Sequence, residues 1–173
     1  MKKRGQVWVE TVIYTLIAFV IIGAVLAYAK PKIQEMQDKT LIEQSAKILQ
    51  DFDNIISNIG EAGNQREIRV EIKKGKLIVD GKNNRIVFEI QSSYAYSEPD
   101  VEFNEMGIVG ITKKAGNFFN VSLTADYLDK KNISYNNKDE NLYLTKSSTD
   151  YKLFLKNIGT DEGGLTIIDF KLN

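Results

Sequence analysis

The sequence predicts an α+β chain: a long N-terminal helix, hydrophobic and then amphipathic, followed by an antiparallel β-sandwich-like head domain. Three observations predict it. Residues 6–29 are almost free of charge, residues 30–60 repeat their apolar side chains at spacings of three and four, and from Arg66 the repeat becomes two. The 173 residues suit one ordinary domain with an appendage and are enough to bury a core. The 23 basic and 23 acidic side chains cancel, which argues against nucleic acid as a partner, because that binding is driven by Lys and Arg neutralising phosphates. With no His and no Cys, the common zinc sites, thiol redox motifs, disulfides and Cys or Ser/His nucleophile pairs are excluded.

The first element begins with Lys2, Lys3, Arg4 and Gly5, after which charge nearly vanishes. Glu10 is the one charged residue from Gln6 to Ala29, and Thr11 to Ala29 is a run of 19 uncharged residues. At about 1.5 Å per residue, the 24 positions from Gln6 form a helix roughly 36 Å long, enough to span a hydrocarbon core of about 30 Å. The basic leader should stay cytoplasmic, leaving everything after Lys30 outside. A cleaved secretory signal has an A-x-A site in Ala27-Tyr28-Ala29, but the run exceeds the usual apolar region of about 7–15 residues. A plain single-pass anchor gives Glu10 nothing to do, at a cost of about 2.5–3.5 kcal/mol at a membrane centre. Snorkelling towards the headgroups would lower that cost without a partner.

Gly5-Gln6 followed by Glu10, behind a short basic leader and ahead of an apolar helix, resembles the class III signal peptide of archaeal type IV pilin-like proteins. The resemblance implies cleavage between Gly5 and Gln6 by a prepilin peptidase, with residues 1–5 lost as a basic leader and 6–29 kept as a transmembrane and filament-core helix. The mature chain would have 168 residues, and its charge would move from 0 to −3. Cleavage would create a cationic amine on Gln6. In a bundle of such helices the Glu10 carboxylate of one copy can meet the Gln6 amine of a neighbour, a pair that selects axial register more than it adds stability.

Pro31 marks the change to amphipathic sequence and is the candidate kink, since a Pro inside a helix removes one backbone hydrogen bond. Residues 30–60 read as a helix packing on the head. Ile33, Met36, Leu41, Ile42, Ile48, Leu49, Phe52, Ile55, Ile56 and Ile59 form the apolar stripe, and Gly60 is the expected stop. The β-rich extracellular head is expected over 66–173. Ile68, Val70 and Ile72 alternate with Arg69, Glu71 and Lys73; Lys74-Gly75 and Asp80–Asn84 read as turns around Leu77–Asp80, leading to Ile86, Phe88 and Ile90. Further runs at 107–113, 118–125, 142–145, 151–157 and 165–172 bring the expectation to about eight strands. The last two resemble the paired late strands of archaeal pilin and archaellin heads. Residues 91–104 and 126–141 look least regular. They hold Tyr94, Tyr96, Tyr127 and Tyr135, read either as an exposed contact surface or as Tyr flanking strand ends.

No motif supports catalysis, and no cofactor or metal is expected. Asp100, Glu102 and Glu105, with Asp139-Glu140 and Asp161-Glu162, lack calcium-loop spacing and read as solvated loops. Gly60–Gly63 and Gly163-Gly164 lack the context of a phosphate loop. Two sequons, Asn120-Val121-Ser122 and Asn132-Ile133-Ser134, make Asn120 and Asn132 candidate N-glycosylation sites in an exported head. Asn120 is expected on the solvent face of a strand and Asn132 in a polar loop. The expected function is therefore that of a structural subunit: a membrane-held precursor, in contact with lipid before assembly, that polymerises with itself into an adhesive surface filament. The resemblance implies three further partners, the prepilin peptidase, a membrane platform protein and an assembly ATPase. The alternative is a single-pass membrane-anchored extracellular β-sandwich binding protein.

Overall fold

The computed structural model describes residues 3–173, with side chains from Trp8 onwards. The chain divides into two compact units, one ending at Gln37 and the other running from Asp38 to Asn173. A single helix, α1 (Lys3–Ser57), contains Pro31 in its interior.

In the first unit the helix is exposed on every side from Trp8 to Tyr28. An α-helix satisfies its backbone hydrogen bonds internally, as an apolar segment requires. Local side-chain bonds add to them: Thr15 Oγ1 donates to the Thr11 carbonyl at 2.8 Å, and Lys32 pairs with Glu35 at 2.8 Å.

In the second unit the rest of α1 supplies one wall of a closed core. Ile42, Leu49, Phe52 and Ile56 are at most 1% exposed, and their spacings of seven, three and four place them on one helical face. Phe52 packs on Phe170 with ring centroids 5.9 Å apart. Ile33 and Met36, read as the start of this stripe, are exposed in the first unit, so the buried stripe begins at Ile42. Between the two positions, Asp38 points a carboxylate inward. The helix ends at Ser57, before the expected Gly60. Asn157 then fastens the loop, its side-chain amide donating to the Gly60 carbonyl at 2.7 Å and its backbone carbonyl accepting from Gly63 at 2.8 Å.

Ten strands follow: β1 (Gln65–Val70), β2 (Lys76–Asp80), β3 (Arg85–Ser92), β4 (Glu102–Glu105), β5 (Ile108–Ala115), β6 (Phe118–Asp126), β7 (Lys131–Tyr135), β8 (Asn141–Thr145), β9 (Tyr151–Thr160) and β10 (Thr166–Leu172). One sheet has the order β1-β9-β10-β7 and the other β4-β5-β6-β3-β2-β8. Both contribute to the core around the helix, with Leu153, Leu155 and Ile168 from the first and Leu77, Phe88 and Leu123 from the second. The expected α+β class is the one observed, with two corrections. Strands β4 and β7 lie in the stretches read as irregular, and β7 pairs with β10 in parallel, so the smaller sheet is mixed. The late pair β9–β10 is antiparallel, with a bulge where Ile167 faces Gly159 and Ile168 faces Asn157.

Close approach requires glycine at several positions, Gly75 and Gly110 among them. A Cβ on Gly75, which turns at φ 85°, would come within 2.3 Å of the Glu89 carbonyl oxygen. A Cβ on Gly110 of β5 would sit 2.0 Å from the ring of Phe103, its register partner on β4.

Candidate assembly and membrane surface

Fourteen large apolar side chains from Trp8 to Tyr28 are between 47% and 73% exposed, and they surround the helix rather than forming a stripe. A helix apolar all round belongs in a core, a bundle or a membrane. Among the described residues, this is the one helix long and apolar enough to cross a bilayer. Such a surface has no stable exposure to water, since burying one large apolar side chain gains about 1.5–3 kcal/mol.

Glu10 interrupts this surface. Its carboxylate accepts a hydrogen bond from the Tyr14 hydroxyl at 3.3 Å, four residues on and one helical turn away. Tyr14 escaped the sequence reading, although the i,i+4 spacing to the lone acid was its signal. The proposed scissile junction at Gly5 and Gln6, with the Gln6 amine expected to meet Glu10, lies outside the residues whose side chains the structure describes.

The head has its own polar anchor. Asp38, 4% exposed at its side chain, accepts from Lys74 Nζ, from the Ser93 backbone N–H at 2.7 Å and from the Ser93 hydroxyl at 2.8 Å. Burial alone would raise its pKa. The Lys74 bond, the two Ser93 donors and the Lys74 charge outweigh that effect and hold the carboxyl below the usual carboxylate range. Asp80 is similar: burial opposes, and Asn83 and Arg85 prevail, keeping the turn before β3 closed around an ionised carboxylate.

The tyrosines do not form an exposed contact surface. Tyr127 is 3% exposed, and burial, with the Asp53 charge added, pushes its phenol up. Tyr135 is half-buried against the core. Tyr94 is also half-buried, and Tyr96 packs at a tilt against Phe103 with centroids 5.5 Å apart while its hydroxyl donates to Glu105 at 3.4 Å. Glu105 and Asp161 are therefore engaged rather than simply solvated, Asp161 accepting from the Leu165 N–H at 2.7 Å. Asn120 is exposed on β6, as expected. Asn132 is half-buried on β7 rather than in a loop, with its side-chain amide donating to Asp161 and its oxygen accepting from Asn84 at 3.0 Å.

Comparison of the chain with protein-family models, with curated proteins and with solved structures gives no match in any of the three. The structural likeness to pilins consists of a long apolar N-terminal helix followed by a β-sheet head.

Proposed function

We propose that the chain is the precursor of a pilin-like structural subunit of an archaeal type IV pilus-like surface filament, processed between Gly5 and Gln6 and used for adhesion. The observation that carries this reading is the exposed apolar helix, covered with large side chains on every side and carrying one charge, Glu10, five residues after Gly5. Lipid covers that surface before assembly, with the N-terminus cytoplasmic and the head outside. Like helices cover it in the filament, and the heads form the outer layer. Within the filament Glu10 exchanges its Tyr14 contact for the Gln6 amine of a neighbouring copy, which fixes the axial step between subunits. The prepilin peptidase, the platform protein and the assembly ATPase are the partners this role requires.

Mass spectrometry of the protein purified from its own cells tests the reading. An N-terminus at Gln6 is expected. A start at Met1 or Lys2 would favour a permanently anchored binding protein, and a start at Lys30 would mean that the apolar segment is a secretory leader.

A further inference from the structure

The outer face of the larger sheet, opposite the core, carries a concavity of about 460 Å³ running across β2, β3, β6 and β5. Its size falls within the range of small-ligand clefts, about 300–1,000 Å³. The register builds it from two rows. Lys76 faces Glu89, Glu89 faces Ser122 and Ser122 faces Ile111; one step along, Gln91 faces Asn120 and Asn120 faces Lys113. Lys76 and Glu89 form an ion pair at 2.9 Å, so the groove offers donors, acceptors and one apolar patch beside the charge of Lys113.

The acceptor Asn and the hydroxyl of the first sequon both line this groove, because residues two apart on a strand share a face while Val121 between them points into the core. The Asn120 side-chain amide has no hydrogen-bond partner among the described residues. The second sequon is committed at both ends. Asn132 is held between Asp161 and Asn84, and Ser134, 4% exposed, donates to Asp169 at 2.9 Å. A sugar on Asn132 would have to displace the Asp161 and Asn84 contacts that seat β7.

We infer that Asn120, and not Asn132, carries an N-linked glycan, and that its first sugars lie in the groove across β2, β3, β6 and β5. The inference rests on the head being exported, as in the proposed function. In the modification, Asn120 Nδ2 forms a bond to the anomeric carbon of a sugar carried on a lipid phosphate. The bond from that carbon to the phosphate oxygen breaks, the phosphate leaves with the bonding pair, and one amide proton ends on it. A membrane oligosaccharyl transferase binds this lipid-linked donor and supplies the base that relays the proton. Sugar hydroxyls then meet Lys76, Glu89 and Gln91, and a sugar C–H face meets Ile111.

Tryptic peptides of the full chain purified from its own cells separate the two sequons, since cleavage at Lys114, Lys130, Lys131 and Lys138 divides them. Glycan mass is expected on residues 115–130 and none on 132–138. Asn120→Gln and Ser122→Ala should each abolish it, and Lys113 should react more readily with an amine-labelling reagent in Asn120→Gln. Bare Asn120, or glycan on Asn132, overturns the inference; unchanged Lys113 labelling overturns the seating in the groove. The N-terminus of the same sample separates the two ideas. A Gln6 start with bare Asn120 defeats the glycan alone, and a Lys2 start with glycosylated Asn120 defeats the filament reading alone.

Discussion

Replacing Asp38 by Ala is expected to destabilise the second unit by about 3 kcal/mol. The carboxylate is 4% exposed at its side chain and is the shared acceptor for Lys74 and for both Ser93 donors. Hydrogen bonds to a charged group contribute about 1.5–3 kcal/mol each, and breaking a buried ion pair costs about 3–5 kcal/mol. The lower end applies because Lys74 is 35% exposed and can turn to water once its partner is gone. At about 2–4 °C per kcal/mol, the midpoint of thermal unfolding should fall by roughly 6–12 °C. The assay is thermal unfolding of the full chain in detergent, followed by its β-sheet circular dichroism. The same variant tests the electrostatics. Because the native carboxyl holds its proton less readily than the unfolded one, its contribution is full above the unfolded value of about 4 and is lost as pH falls through the lower native value. Asp38→Asn should therefore flatten the acid limb of the stability profile. An Asp38→Ala protein that melts within about 1 °C of the parent would refute the reasoning.

Two further outcomes are expected. Glu10→Ala should leave processing at Gly5 largely intact while filament assembly, scored by electron microscopy, fails; normal filaments would remove Glu10 from subunit pairing. Gly110→Ala should cost about 1–3 kcal/mol in chemical unfolding, because the new methyl occupies the place of the Phe103 ring. Combined with Phe103→Ala it should cost less than the sum of the two single changes.

What was legible in the sequence was whatever local periodicity encodes. The uncharged run of α1, the stripe from Ile42 to Ile59 and the alternation of β1, β3 and β6 each announce themselves within a dozen residues. What was not legible depends on partners distant in the chain. Strand β7 buries Ile133 and Ser134 and pairs in parallel with β10, more than thirty residues later, so no hairpin signal marks it. Asn132 looked like a loop residue because its ties, to Asn84 and Asp161, are 48 and 29 positions away. Ile33 and Met36 fit the helical repeat as well as Ile42 does, yet they are exposed while the buried core residues of the helix begin at Ile42. Composition places Tyr127 among polar loops, but the fold turns it inward. At the candidate assembly surface the residue types and spacing were visible in full, and the Tyr14 contact with Glu10 is what the structure added.

The claim on which the proposed function rests is that the apolar helix is kept and covered, by lipid or by copies of itself. The chain has no cysteine, so a single Ile17→Cys variant reports on that surface alone. In membranes this thiol should be shielded from a water-soluble thiol reagent, and in isolated filaments a short bifunctional cross-linker should yield a ladder of multimers through it. A monomer in free solution whose introduced thiol reacts as fast as one placed on the head would contradict the claim.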